Sequence, residues 1–176
     1  MSWSNISAPV EKELLVGFFD LTGYTRICQK MPEMEVLQLM AGYFDLTGRI
    51  LAENGGLLVK AIGDAGLAAF PAEQADKGVR AFLDLKDEGE SWLKAVKIDS
   101  RAVVKLHVGP VACGHVGAPT EKRFDIYGKT VNTAALVPSK GFAMTPQVFR
   151  LLSKETRALF KKHTPPVTYI AQEDRH

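Results

Sequence analysis

Two kinds of apolar pattern alternate along the chain. LLVGFFD (14–20) is a short unbroken apolar run ending at a charge, the pattern of a strand buried on both faces with its tip at solvent. After Pro32, the residues Leu37, Met40, Ala41, Phe44, Gly48 and Leu51 recur at helical spacing; Pro32 suits the helix start and Gly55-Gly56 the stop. GLLVKAI and GLAAF flank Gly63-Asp64-Ala65-Gly66 and predict a hairpin, with a turn other than the standard two-residue one. Ala75, Val79, Phe82 and Leu83 open a second helix, expected to break or end near Gly89. AVVKLHVG (102–109) alternates like a half-buried strand, and VACGHVG (111–117), after Pro110, is expected to pair with it as a hairpin. RFDIYG (123–128) reads as a strand, KTVNTAALV (129–137) as a helix and FAMT as a strand. The span from Pro146 to Phe160 reads as one helix, and VTYIA as a closing strand.

The order of main elements is β-α-β-β-α-β with additions. It predicts an α+β fold with a ferredoxin-like βαββαβ core, an antiparallel sheet covered by helices on one side, plus additional strands and helices. A length of 176 residues suits one domain, and 46% hydrophobic with 24% charged residues is ordinary soluble globular composition. The two cysteines, Cys28 and Cys113, are far apart and in no CxxC pattern. That excludes a disulfide framework or a zinc site and makes the reducing cytoplasm the expected location. A net charge of +2 gives no case for nucleic acid. No run has the length of a membrane span, and the first residues lack the basic-then-apolar order of a secretion signal.

Against this background two residues stand out. Lys60 and Asp64 interrupt the apolar run GLLVKAIGDAGLAAF (56–70). They form either a structural ion pair, which adds little net stability, or part of a site. Asp20 and Asp64 fall at a strand end and a hairpin tip, where a sheet meets solvent. Brought together they repel unless a cation lies between them, and magnesium accepts a few carboxylate oxygens while keeping places for water and phosphates. Gly23, Tyr24 and Thr25 then offer backbone N–H groups and a hydroxyl just before a helix, a cradle for phosphate. The structural alternative is a helix cap at Asp20 and a turn residue at Asp64.

FFDLTGYT, VKAIGDAGLAAF, HVGPVACGHVG and FDIYGKTVNTAA follow one another at suitable spacing. Together they resemble the catalytic domain of the class III adenylate and guanylate cyclases over roughly residues 13–171. Residues 1–12 are then an N-terminal extension and 172–176 a C-terminal tail. The resemblance implies a homodimer with composite active sites and two Mg2+ or Mn2+ ions per site, held by Asp20, Asp64 and the Leu21 carbonyl. It implies that Gly23, Tyr24 and Thr25 bind phosphate, and that the metals drive in-line displacement of pyrophosphate by the ribose 3′-hydroxyl. Lys60 and Asp125, with Ile126 beside it, match the residues that read the base, and Asn132 matches the one that positions the ribose. Lysine with aspartate suits adenine, because lysine donates to N1 and aspartate accepts from the 6-amino group. The implied activity is ATP to 3′,5′-cyclic AMP in signal transduction. Alternatives are a cyclase using GTP or a pyrimidine, and a degenerate nucleotide-binding regulatory module.

One position departs from the family. The helix VNTAAL carries Leu136 where the family has an arginine that binds phosphates in the transition state. Losing one such stabiliser typically costs about 100- to 1000-fold in rate, so a slow enzyme is expected. Lys140 and Arg150 are candidate replacements, and Lys161, Lys162 and His163 fall where the family supplies a further phosphate-binding lysine.

Overall fold

The apolar run at 14–20 is the centre of β1 (Val10–Leu21), the long strand on which the rest is built. A computed structural model describes Trp3 and residues 6–174; of the expected extension and tail, residues 1, 2, 4, 5, 175 and 176 lie outside the described residues. Successive β1 side chains enter different cores. Leu15 and Phe19 face one side, Leu14 and Val16 the other, which is why the run lacks polar alternation.

After β1 come α1 (Tyr24–Cys28), α2 (Glu33–Glu53), β2 (Leu57–Ile62), β3 (Ala65–Pro71) and α3 (Ala75–Ala95). They are followed by β4 (Ala102–Ala118), β5 (Glu121–Tyr127), α4 (Lys129–Leu136) and β6 (Phe142–Met144). The chain closes with α5 (Pro146–Arg150), α6 (Lys154–Arg157), β7 (Phe160–His163) and β8 (Thr168–Ala171). The eight strands form one sheet in the order β2-β3-β1-β4-β6-β8-β7, with β5 also on β4. The first four strands in that order are the expected βαββαβ core. Pairing is antiparallel except between β4 and β6, which run parallel, so the sheet is mixed.

Helices α2 and α3 cover one face, burying Tyr43, Leu51, Phe82 and Leu85 against Phe19 and Phe70. Helix α2 ends as its sequence predicts. Gly55 adopts φ 86°, its N–H reaches the Ala52 carbonyl, and the Gly56 N–H reaches the Leu51 carbonyl, a Schellman motif. The expectation of helices on one side only is corrected by α4. Its Ala134 packs with Leu14, Val16, Leu67, Val111 and Ile126 on the opposite face. Ile6 joins that second core, and Trp3 donates from Nε1 to the Gly55 carbonyl (3.2 Å) and meets the Phe124 ring edge-on.

Three other expectations are corrected. Residues 102–118 form a single strand, not a hairpin broken at Pro110. The Pro110 carbonyl accepts the Thr130 hydroxyl, so the missing N–H of that residue also points away from β1, into the gap between β5 and β6. Proline there removes no rung from the β1–β4 ladder. Helix α3 runs through Gly89, where a Cβ would lie 3.2 Å from Tyr43 Cε2; the glycine lets α2 and α3 approach. The expected helix from Pro146 to Phe160 is two short ones. Ser153 caps α6 by accepting the Thr156 N–H, and its own N–H is held by Asp76, while Phe160 belongs to β7.

The core is tight just behind the candidate site. A Cβ on Gly66 would lie 2.1 Å from Cζ of the buried Phe19 ring. Gly66→Ala is therefore expected to cost about 1–3 kcal/mol, read as a lowered melting temperature; an unchanged value would mean that Phe19 has room to move.

Candidate active site

Asp20 is the penultimate residue of β1, and Asp64 lies in the β2–β3 turn. That turn has two residues, Gly63-Asp64, with Gly63 at φ 63°, a glycine-first hairpin loop in place of the longer turn expected. The Asp64 carboxylate folds back and accepts the Leu21 N–H through Oδ2 (3.1 Å). This joins hairpin tip to strand end. It also turns the Leu21 carbonyl toward the hairpin, because N–H and C=O of one extended residue share a side. Burial lifts the Asp20 carboxyl above its ordinary pKa; Lys105 opposes that, and the Asp64 charge adds to it. Through its bond to the Leu21 N–H, the Asp64 carboxylate is held at the residue next to Asp20.

Beyond Leu21 the chain turns sharply. Thr22 is clamped to the α3–β4 connection: its N–H donates to Arg101 O, its Oγ1 accepts the Arg101 N–H, and its carbonyl accepts the Ser100 hydroxyl. Gly23 follows at φ 72°, the left-handed conformation that glycine adopts without strain, and the chain enters α1 at Tyr24 and Thr25. The Tyr24 hydroxyl is pushed up to about 12, chiefly by its hydrogen bond to Cys28 and then by burial. Thr22, Ser100 and Arg101 were not singled out in the sequence; the hydroxyl-rich ends of the two loops are their only signal.

Lys60 does not pair with Asp64. Its Nζ bonds Asp125 Oδ2 at 2.7 Å, linking β2 to β5. The hairpin register makes this possible. From the Gly63-Asp64 turn, Ile62 pairs with Ala65, Ala61 with Gly66 and Lys60 with Leu67, so Lys60 lies on the face shared by Leu67 and α4. Val59 is then an extra residue, because Leu58 pairs with Ala68, and this β-bulge turns Leu58 onto the face of Phe19. Asp125 Oδ1 accepts the Ile126 N–H (2.8 Å). Burial alone would raise the Asp125 pKa, but hydrogen bonds from Lys60, Tyr127 and Ile126 outweigh it and hold the carboxyl below its usual value. Lys60 also stands 5.5 Å over the Tyr127 ring, a second contact invisible in the sequence. Ile126 is buried in the second core, so of this pair only Asp125 presents a polar side chain.

Asn132 is exposed on α4. Leu136, four residues on, is 81% exposed at its end. Leu136 borders an open cavity of about 520 Å3 shared with Lys105, Lys140 and His163. Arg150 lies elsewhere, in a cavity beside Glu13 and Glu73. Lys161 donates to the Gln172 carbonyl. Among the described residues no three His, Cys, Asp or Glu side chains converge. The acidic pair with the Leu21 carbonyl is an all-oxygen set short of a cage, which fits a magnesium or manganese ion that shares its remaining places with water and phosphate.

The chain matches the family model described as adenylate and guanylate cyclase catalytic domain over residues 7–168. It is 31% identical over 132 residues to receptor-type guanylate cyclase gcy-23 of Caenorhabditis elegans, covering 70% of this chain and 12% of that protein. An adenylate cyclase of Streptomyces coelicolor is 33% identical over 130 residues, covering 74% of this chain and 30% of its own length. The chain therefore spans less than a third of either relative. The solved structure of a bacterial light-regulated adenylyl cyclase superposes with a TM-score of 0.80 at 25% identity, over 94% of this chain and 52% of that one. Relatives of both base preferences occur, and no helix among the described residues is long and apolar enough to cross a membrane.

Proposed function

The chain belongs to the adenylate and guanylate cyclase catalytic domain family, and from that premise we propose that it converts ATP to 3′,5′-cyclic AMP and pyrophosphate as a homodimer with composite active sites. The observation that carries the base choice is the 2.7 Å contact between Lys60 and Asp125. It holds one donor and one acceptor side by side, the complement of adenine N1 and its 6-amino group. In this structure each satisfies the other. An adenine exchanges one bond for two, whereas guanine offers a donor at N1 and an acceptor at O6 and leaves both side chains opposed by like partners. Sites of this kind discriminate strongly, because a mismatched base leaves buried polar groups unpaired.

Asp20, Asp64 and the Leu21 carbonyl would hold the metals, which when bound would supply activation of the ribose 3′-hydroxyl and neutralise charge on the departing pyrophosphate. Gly23, Tyr24 and Thr25 hold the phosphates through backbone N–H groups and the Thr25 hydroxyl. Asn132 orients the ribose. One copy supplies the acidic pair and its twin supplies Lys60, Asp125 and Asn132, so neither site is complete without a second chain. A second reading, a nucleotide-binding regulatory module, is favoured by Leu136, which stands exposed at the site without charge or hydrogen-bonding capacity.

Incubating the purified protein with each nucleoside triphosphate and Mg2+ or Mn2+, then separating products by chromatography, tests these readings. Cyclic AMP from ATP alone is expected, with specific activity rising with protein concentration as dimers form. Cyclic GMP as the main product would overturn the base assignment. Nucleotide binding without turnover would favour the regulatory module.

A further inference from the structure

The cavity beside Leu136 contains a cation that the helix sequence does not reveal. Lys105 sits in β4 opposite Phe18. Asp20 lies two residues beyond Phe18 on the same strand, so both side chains lie on the face that α4 covers. The Lys105 side chain lines the cavity with Leu136, Lys140 and His163. It therefore stands beside the position where α4 presents leucine, on the copy that supplies Lys60, Asp125 and Asn132 to the composite site. Lys140 and His163 at the same rim each have interaction partners inside the protein. Lys140 follows the helix on a loop, whereas Lys105 rises from a central strand held by β1 on one side and β6 on the other. A group on a rigid element is better positioned than one on a loop.

We propose that Lys105 is the residue that places positive charge on the substrate's phosphates in this chain, in the role Leu136 cannot fill. This rests on the cyclase reading above. As the 3′-oxygen bonds to the α-phosphorus and releases its proton to solvent, the bond from that phosphorus to the bridging oxygen breaks and its electron pair leaves with pyrophosphate. Negative charge grows on the leaving group, and the Lys105 ammonium neutralises it without itself giving up a proton. A lysine does this as a point charge rather than as a two-pronged fork, so the chain turns over more slowly than one with arginine on α4 but is not inert.

The test is a double-mutant cycle. Lys105→Met is expected to lower kcat about 100- to 1000-fold with a smaller change in KM, and Lys105→Arg to keep most of the rate. Leu136→Arg is expected to raise kcat more in the Lys105→Met background than in the native chain, because the two cations serve the same charge. Native kcat in Lys105→Met would overturn the proposal. So would a loss that neither Lys105→Arg nor Leu136→Arg relieves, since that outcome marks a packing role. Equilibrium binding of a non-cleavable ATP analogue and of adenosine, each with Mn2+, separates this proposal from the activity itself. If the native chain forms no cyclic nucleotide, yet Lys105→Met weakens the analogue at least tenfold and adenosine not at all, the activity reading fails and the phosphate contact stands. Equal binding of the analogue by both proteins would overturn the contact.

Discussion

Asp20→Asn is expected to lower cyclic nucleotide formation about 100- to 1000-fold while leaving the fold intact. The substitution keeps size and shape but removes the charge through which the β1 terminus is proposed to hold a cation. Burial already works against the ionised Asp20 carboxyl, and Asp64 adds to that. The asparagine protein is therefore expected to melt at the same temperature as the parent or slightly above it. Asp64→Asn is expected to be as damaging to activity, although its amide oxygen can still accept the Leu21 N–H. Activity is measured against Mn2+ concentration and stability by thermal melting. Parental activity with an unchanged Mn2+ dependence in either variant would remove these carboxylates from the metal site. Loss of activity together with a collapse in melting temperature would make them structural.

The double variant Lys60→Glu with Asp125→Ser is expected to invert the base preference. Glutamate accepts from the N1–H and 2-amino groups of guanine, and serine donates to O6. The ratio of kcat/KM for ATP over GTP should fall by as much as about 10⁴-fold. Lys60→Glu alone should be poor with both bases, because it sets a second carboxylate against Asp125. The Lys60–Asp125 bond also joins β2 to β5, strands with no backbone pairing between them. If the double variant loses stability and its residual activity keeps the parental ratio, the pair is a structural tie and the base is read elsewhere.

Much of this was legible in the chain because burial on both faces leaves a mark. LLVGFF lacks alternation since each face of β1 meets its own core, and the interruptions at Lys60 and Asp64 were visible against that apolar ground. Which partner each interruption meets was not. The two-residue turn at Gly63-Asp64 sets Lys60 opposite Leu67 and so on the α4 face, and the length of that turn was not readable from the Gly63–Gly66 run. Pro110 misled for a related reason: its cost depends on whether its side of the strand is paired, a property of the sheet rather than of the residue. The span 146–160 is apolar enough for one helix, and only the partnership of Ser153 with Asp76 and Thr156 shows why it divides. Leu136 was conspicuous as a departure from a family pattern. Lys105 was not, because a lysine in an alternating strand looks like a solvated one until the fold sets it in one cavity with Leu136.

Trp3 grips two places at once: the Gly55 carbonyl at the entrance to β2 and the ring of Phe124, the immediate neighbour of Asp125. The strand bearing Lys60 and the strand bearing Asp125 thus share one handle near the amino end. Tension or a twist delivered through that handle would shift Lys60 and Asp125 relative to each other, without touching Asp64 at the far end of β2. If that pair reads the base as proposed, strain at Trp3 would act on recognition and leave the hairpin tip alone.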